Sequence, residues 1–242
     1  MNVSWCIQRG NDVGFKWFNH IMTWALPFLL FVHYHTCIAV TKLGAVKQLT
    51  TSESIDAQSA WSPDGTRLAF VSGRSGANEI WVMNPDGTQL ERLVACENAG
   101  HFASDPCWSP DGKSLIFVSN RAGNMDIWML DLTTKELVQL TDSPAVDWMP
   151  AVSPDGRRIA FVSDRDGQDA LWMLDITAGK KLTKLRNGAW DPAWSPDGNR
   201  IAFVASADDE RGVWIMDLTT RAQVLVLPNG RSPAWSPRGD QL

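Results

Sequence analysis

The chain has 242 residues, with 22 lysines and arginines against 27 aspartates and glutamates, so its formal net charge is −5. This length allows one large domain or two small ones, and a hydrophobic content of 44% excludes a wholly disordered chain. The acidic balance argues against a nucleic-acid partner, which would require a basic face. The high counts of tryptophan (13), glycine (18) and proline (13) indicate an all-β chain with a repeating unit.

Residues 1–44 differ from the rest of the chain and form a hydrophobic leader. The stretch 21–40 is almost uncharged, its most apolar part is residues 21–32, and basic residues precede it. A basic lead-in, an apolar run and a small-residue exit are typical of a secretory signal peptide. A membrane anchor is the alternative, but it needs about 20 apolar residues and would have to include residues 33–36. The third interpretation is an ordinary buried segment or an upstream stretch that is not natively translated. Export predicts a periplasmic or extracellular protein, and an anchor would attach it to the membrane.

A five-residue motif recurs five times after the leader and defines the repeating unit. It reads W-S-P-D-G in three copies, V-S-P-D-G in the third and W-S-P-R-G in the fifth. The copies begin at Trp61, Trp108, Val152, Trp194 and Trp235. A period in the forties, combined with strand-forming residues, predicts β-propeller blades of four strands each.

Each unit has four predicted strands in chain order. An inner strand ends at the first Trp, and the S-P-D-G turn follows because Pro fixes its own φ and Gly accepts a positive φ. The next strand is a continuous apolar run such as Leu68–Val71, which is typical of a strand buried on both faces. A second Trp follows each Phe of that run by 11 residues, and a polar hairpin leads to a short outer strand.

The repeats predict a propeller domain over residues 45–242 with incomplete ends. We predict complete blades at about residues 56–94, 103–141, 147–185 and 189–228, with a partial fifth blade at 231–242. Residues 46–50 match an outer strand, and residues 232–235 match an inner strand, but the middle strands of that blade are absent. We therefore expect an open arc or a strained closure, with apolar blade edges that favour self-association.

The repeat resembles the WD-like repeat of TolB-type β-propellers. The resemblance covers residues 46–242 and is carried by four elements: the W-S-P-D-G turn, the L-A-F-V-S strand, the Ser-x-Arg-x-Gly loop and the I-W-x-M strand. It implies a ring that normally has six blades, in a bacterial envelope or secreted protein that binds other proteins. The same repeat forms the propeller of prolyl-oligopeptidase-like peptidases and of some carbohydrate-active enzymes. A propeller portion of such an enzyme is therefore the alternative function, and a purely structural repeat module is a third.

The acidic residue of the S-P-D-G turn is interpreted as structural. It occurs at Asp64, Asp111, Asp155 and Asp197. Such an Asp accepts hydrogen bonds from nearby backbone N–H groups, and we expect it to pair with the Arg of the Ser-x-Arg-x-Gly loop (Arg74, Arg121 or Arg165). Ala207 replaces this Arg in the fourth unit, and Arg238 replaces the Asp in the fifth. The network should therefore weaken toward the C-terminus.

The sequence predicts neither a catalytic centre nor a bound metal or cofactor. His101 is the single histidine after the leader, and no G-x-S-x-G nucleophile elbow occurs. Residues 164–169 superficially resemble a calcium loop, but the Gly is fourth and the final Glu is missing. Cys96 and Cys107 form no C-x-x-C pair, and Cys107 is expected in the core. We therefore predict a protein that is not an enzyme.

Two tryptophans and four other residues mark a candidate binding surface. Trp148 and Trp190 each lie four residues before the W-S-P position, where the chain crosses from one blade to the next. The other candidates are Asp105 and Asp191, which share a position three residues before the Trp, and their neighbours Asp147 and His101. Such crossings lie around the channel mouth of a propeller. An acidic rim with aromatics predicts a basic or aromatic protein or peptide partner. The alternative is that both tryptophans only cap the core between blades.

Overall fold

The computed structural model describes residues 38–42, 45–207 and 210–242, which form strands and turns without a helix. The predicted hydrophobic leader therefore lies almost entirely outside the described residues. Within the described part of the chain, no helix has the length and apolar character that crossing a bilayer requires. Two short antiparallel strands, β1 (Ile38–Lys42) and β2 (Ala45–Gln48), precede the repeats.

The repeats fold into four sheets of four antiparallel strands, which confirms the all-β propeller with four complete blades. Blade 1 contains β3 (Asp56–Trp61), β4 (Leu68–Ser72), β5 (Glu79–Met83) and β6 (Glu91–Val94). Blade 2 contains β7 (Ala103–Trp108), β8 (Ser114–Ser119), β9 (Asp126–Asp131) and β10 (Leu137–Gln139). Blade 3 contains β11 (Asp147–Val152), β12 (Arg158–Ser163), β13 (Ala170–Asp175) and β14 (Lys181–Asn187). Blade 4 contains β15 (Ala189–Trp194), β16 (Arg200–Ala207), β17 (Glu210–Asp217) and β18 (Gln223–Pro228). The inner strands β3, β7, β11 and β15 contact one another in succession, so they lie nearest the propeller axis.

The hydrophobic core lies between consecutive blades. The second strand of each blade carries one fully buried phenylalanine: Phe70, Phe117, Phe161 and Phe203. Between blades 1 and 2, Ile80 and Val82 of one blade pack in a cluster with Leu115 and Phe117 of the next. Each such side chain contributes about 1.5–3 kcal/mol by its burial. The continuous apolar runs are therefore buried on both faces, as their lack of alternation predicts.

The first Trp of the repeat connects neighbouring blades by a hydrogen bond. Trp108 Nε1 donates to the carbonyl of Ala60 at 3.0 Å, and Trp194 Nε1 donates to that of Ala151 at 2.9 Å. The indole therefore satisfies a backbone carbonyl of the preceding inner strand. Val152 occupies this position in blade 3 and has no donor, so the junction between blades 2 and 3 lacks the bond.

The C-terminal segment 232–242 docks on blade 4. Trp235 Nε1 donates to the carbonyl of Ala193 at 3.1 Å, and the Arg200 guanidinium lies 4.7 Å from the Trp235 ring centroid. Arg200 Nη2 also donates to the carbonyl of Gly239 at 3.4 Å. The fifth unit thus repeats the junction contacts of the complete blades.

The two ends of the propeller domain do not form a common blade. Residues 232–235 are not a strand, which corrects the inner strand expected there. An inner strand needs a second strand as its pairing partner, and the described residues supply none. At the other end, β2 pairs with β1. Among the described strands, no sheet joins blade 4 to blade 1.

Candidate functional site

The inner strands share an irregularity near the propeller axis. Each breaks its pairing register with the second strand at the same aligned place. The residue there has a positive φ in every unit: Gln58 (50°), Asp105 (50°), Met149 (52°), Asp191 (58°) and Ser232 (48°). This conformation costs roughly 1–2 kcal/mol for a residue other than glycine. Backbone strain of this kind is concentrated at functional sites, so the five positions define a candidate ring around the channel.

Asp105 connects two neighbouring positions of this ring. Gln58 Nε2 donates to Asp105 Oδ1 at 2.8 Å, and the Asp105 amide donates to Gln58 Oε1 at 3.2 Å. Ser104 Oγ donates to the other carboxylate oxygen at 2.7 Å. Burial raises the pKa of Asp105, and the carboxylate of Asp191 raises it further. Burial and the charge of Asp191 therefore both favour the protonated form of Asp105.

Gln58 and Met149 belong to the ring but were not among the predicted site residues. Both lie three residues before the W-S-P position, as Asp105 and Asp191 do. The sequence signal was therefore present in the repeat. The neutral side chains at this position carry no charge that would distinguish them in the sequence, whereas Asp105 and Asp191 do.

Trp148 and Trp190 are both half-buried. Trp148 packs on the hydrophobic cluster between blades 2 and 3. Trp190 packs on the cluster at the far face of blade 4, and its Nε1 donates to Asp169 Oδ2 at 3.1 Å. Each indole therefore has one side in the core and part of its surface in solvent, so that core packing does not prevent contact with a partner.

The other two predicted site residues differ in accessibility. His101 is half-buried in the loop between blades 1 and 2, where its amide donates to the carbonyl of Asn98 at 3.1 Å. Asp147 is fully buried, and both carboxylate oxygens accept from Arg165 Nη2 at 3.0 Å. The expectation that Asp147 lies on an exposed rim is corrected accordingly. The same spacing of 18 residues joins Asp56 to Arg74 in blade 1.

The turn aspartates accept hydrogen bonds within their own turns. In blade 1, Ser62 Oγ donates to Asp64 Oδ1 at 2.6 Å, and the Thr66 amide donates to the same oxygen at 3.0 Å. These bonds lower the pKa of Asp64 to about 2. The corresponding bonds lower the pKa of Asp111 and Asp197 and, against an opposing effect of burial, that of Asp155.

The predicted pairing of these aspartates with the loop arginines is wrong. Arg74 and Arg165 pair with Asp56 and Asp147, while Asp155 and Asp197 approach Arg158 and Arg200 at 3.7 Å. The reason is geometric. The S-P-D-G turn precedes the second strand and the Ser-x-Arg-x-Gly loop follows it, so the strand holds them at opposite ends of the blade.

The loop arginines cover aromatic rings instead. Arg74 lies 5.3 Å from the ring centroid of Phe70 and 5.2 Å from that of Trp81, and Arg121 and Arg165 repeat this arrangement. In blade 4, which has Ala207 at this position, Arg186 of blade 3 covers Phe203 and Trp214. An arginine from another strand therefore supplies the aromatic stack in blade 4, where the loop arginine is missing. These stacks belong to the blade core.

The comparisons with known proteins agree with this architecture. A family model described as the TolB beta propeller domain matches residues 95–242. The chain belongs to this family. The Tol-Pal system protein TolB of Thioalkalivibrio sulfidiphilus (strain HL-EbGR7) is 51% identical over 35 residues, which are 14% of this chain and 8% of that protein.

Solved TolB structures align with most of the described chain. TolB from Acinetobacter baumannii aligns with a TM-score of 0.72 at 25% identity over 82% of this chain and 50% of that one. A putative TolB from Agrobacterium tumefaciens aligns with a TM-score of 0.68 at 26% identity over 81% and 76% of the two chains. The chain thus spans half the length of the A. baumannii protein. A puromycin hydrolase aligns at 20% identity with a TM-score of 0.60, which reflects the propeller fold alone.

This TolB-family propeller offers no evident metal site in its described part. No group of three or more histidine, cysteine, aspartate or glutamate side chains there is arranged to hold an ion. Cys96 and Cys107 are free thiols, and burial raises the pKa of Cys107 to about 12.

Proposed function

We propose that the chain is a non-enzymatic scaffold of the bacterial cell envelope that binds a protein or peptide segment at the mouth of its propeller channel. The observation that carries the proposal is the ring of five strained positions around the axis, which includes Asp105 and Asp191. Membership of the TolB family and a curated relative named as part of the Tol-Pal system support an envelope location. The leader of residues 1–44 would serve export or, as the alternative, membrane attachment through residues 21–40.

The chemistry of the ring favours a basic partner segment. Asp191 adds negative charge, and a cationic partner group would favour the charged form of Asp105 against the effect of its burial. The indole faces of Trp148 and Trp190 can stack on a lysine or arginine side chain or on an aromatic ring. His101 stands at the same blade crossings. The buried Asp147 would contribute through Arg165 and the position of Trp148, without touching the partner.

A peptide array provides the test. The full chain should bind Lys/Arg-rich peptides in preference to Asp/Glu-rich peptides of equal length, and binding should weaken with salt. The double change Trp148→Ala with Trp190→Ala, and the double change Asp105→Asn with Asp191→Asn, should each weaken binding at least tenfold. Trp61→Ala removes a half-buried Trp at the far end of an inner strand and serves as the control. Equal binding by all variants would overturn the proposal.

Self-association through the edge of blade 4 is a further part of the proposal. β18 carries no charged residue, and it exposes Val224, Val226 and Leu227 to 56%, 41% and 55%. The free edges of β6 and β14 carry charges, which discourage edge-to-edge pairing, and the uncharged edge of β10 is only three residues long. A second copy could therefore add its own β18 to this edge.

Sedimentation velocity would test the self-association. Val226→Lys should shift the chain toward monomer, whereas Leu137→Lys on the outer strand of blade 2 should not. Leu137 is a matched control because its exposure is also 41%. A monomeric wild-type chain at high concentration would exclude the association.

The alternative function, a propeller portion of a peptidase or carbohydrate-active enzyme, is supported only by shared fold. The peptidase and lyase structures that align with the chain are 15–20% identical to it. No particular residue of the described chain favours it over the scaffold.

A further inference from the structure

The junction between blades 2 and 3 contains a buried carboxyl group without a cation. Asp126, at the start of β9, is 1% exposed. Its carboxylate accepts from Gln139 Nε2 at 3.0 Å and from Thr141 Oγ1 at 3.3 Å, and both donors are neutral. In the described part of the chain, no lysine or arginine forms an ion pair with it. A buried carboxylate of this kind is costly because burial disfavours its charge.

A second buried carboxylate faces it from blade 3. Asp147, at the start of β11, is fully buried, and its amide donates to the carbonyl of Met125 at 2.8 Å across the junction. Arg165 neutralises Asp147 with two contacts of 3.0 Å. Asp142, in the loop between β10 and β11, adds a third negative charge nearby. Arg165 thus neutralises one member of a group of three carboxylates.

Blade 1 shows how the same position is neutralised elsewhere in this chain. Glu79 corresponds to Asp126, and Arg92 corresponds to Gln139, because each pair lies beside the second Trp of its blade. Arg92 approaches Glu79 at 3.4 Å. The Cys96 amide donates to Glu79 at 2.7 Å, and Ser75 Oγ also donates to it. Blade 2 has therefore kept the acid and has a neutral amide where blade 1 has the cation.

We infer that Asp126 is a proton-uptake group that makes the junction between blades 2 and 3 tighter in mildly acidic than in neutral solution. The deprotonated form places an unpaired charge beside Asp147. The protonated form removes that charge, so the carboxyls of the two blades no longer repel. This junction is also the one that lacks the indole hydrogen bond, because Val152 stands at the Trp position.

The electrostatics agree with the geometry. Burial raises the pKa of Asp126 to about 6, with further increases from Asp147 and Asp142, while the bonds from Gln139 and Thr141 oppose the rise. Burial also raises the pKa of Glu79, but the hydrogen bonds from Ser75, Cys96 and Arg92 outweigh this effect, so the pKa of Glu79 is lowered. A group with a raised folded-state pKa contributes most stability below its unfolded pKa. That contribution is lost as the pH rises through about 6.

The test combines a titration with two substitutions in the full chain. The ¹³C carboxyl resonance of Asp126 should titrate near pH 6, and amide hydrogens at residues 125–127 and 140–147 should be better protected at pH 5 than at pH 7 after correction for intrinsic exchange. Asp126→Asn should abolish this difference and raise the melting temperature at pH 7. Gln139→Arg, which copies the arrangement of blade 1, should lower the titration midpoint by at least one pH unit.

The outcomes separate the inference from a general effect of acid. Glu79→Gln is the matched control, and it should leave the pH response of the blade 2–3 junction intact. If Asp126→Asn fails to fold, the titration of the wild-type chain and of Gln139→Arg still decides. An Asp126 midpoint below pH 5, or a pH response that persists in Asp126→Asn, would overturn the inference.

Discussion

Blade 2 lacks the carboxylate that pairs with the loop arginine in blades 1 and 3. This ion pair can therefore be tested by introducing a carboxylate into blade 2. Arg74 and Arg165 each hold an aspartate at the start of the inner strand, but Ala103 occupies this position in blade 2. Arg121 there donates to Ser119 Oγ at 3.2 Å and to the carbonyl of Ala95 at 3.4 Å. Burial lowers the pKa of Arg121, which reflects its incomplete neutralisation. Ala103→Asp should supply the partner.

The backbone at Ala103 already has the geometry that Asp147 uses. The Ala103 amide donates to the carbonyl of Asn78 at 2.8 Å, and the Asp147 amide donates to that of Met125 at 2.8 Å. Ala103 is paired with Ser119 as Asp147 is with Ser163. An aspartate at this position would therefore point its carboxylate at Arg121 without backbone movement.

The expected gain in the free energy of unfolding is the balance of two opposing effects. Two charge-assisted hydrogen bonds contribute roughly 3 kcal/mol. Desolvation of the new carboxylate and its proximity to Glu79 oppose this, although Arg92 already neutralises Glu79. We expect a net gain of about 1 kcal/mol, which corresponds to a rise in melting temperature of about 2–4 °C for a chain of this size.

Thermal unfolding followed by circular dichroism at pH 7 is the assay. Ala103→Asn has a similar shape without the charge and is the control. A variant Ala103→Asp that melts no higher than Ala103→Asn would show that Arg121 does not need a carboxylate, and the reasoning from blades 1 and 3 would fail.

Three further predictions concern contacts that the repeat alone does not determine. Arg200→Ala should speed trypsin cleavage of the C-terminal segment after Arg231 and Arg238, because it removes the stack on Trp235. Arg67→Ala is the control and should not speed this cleavage, because the Arg67 guanidinium pairs with exposed Glu91. Arg186→Ala should destabilise blade 4 by about 0.5–1 kcal/mol, measured by urea unfolding, because Trp214 loses a guanidinium 4.6 Å from its ring centroid; an unchanged unfolding midpoint would contradict this. The Asp64 carboxyl should titrate near pH 2 by NMR, and Ser62→Ala should move the midpoint upward; a midpoint near the ordinary value in wild type would show that the turn bonds are absent in solution.

The fold could be predicted from the sequence because each copy of the repeat contains both the residues of its local turns and the residues that pack against the next blade. The S-P-D-G turn fixes each hairpin, and the apolar run that contains Phe70 or its counterparts has no polar face to place in solvent. Both features act within a few residues or recur in every copy. The number of complete blades follows directly from them.

The candidate site was only partly predictable, because its members are joined across the fold. The bond between Gln58 and Asp105 joins inner strands 47 residues apart. Asp147 can be buried because Arg165 neutralises it, and Arg165 lies 18 residues later, in the loop after the neighbouring strand β12. Aligned copies could have revealed the pair, since Asp56 and Arg74 have the same separation. Proximity in sequence to Trp148 suggested an exposed position, and tertiary contact decided otherwise.

Departures from the repeat make the three blade junctions unequal. The junctions between blades 1 and 2 and between blades 3 and 4 each have the indole hydrogen bond. The junction between blades 3 and 4 also has Arg158, whose guanidinium lies 4.7 Å from the Trp194 ring centroid and donates to the carbonyl of Gly198 at 3.1 Å. Junction 2–3 has Val152 in place of the Trp and the uncompensated carboxyl of Asp126. In a repeat protein the stability of each interface adds to that of its neighbours, so the weakest interface determines where the chain first divides. We therefore expect the propeller to open first between blades 2 and 3, and the candidate surface at Trp148 lies on that boundary.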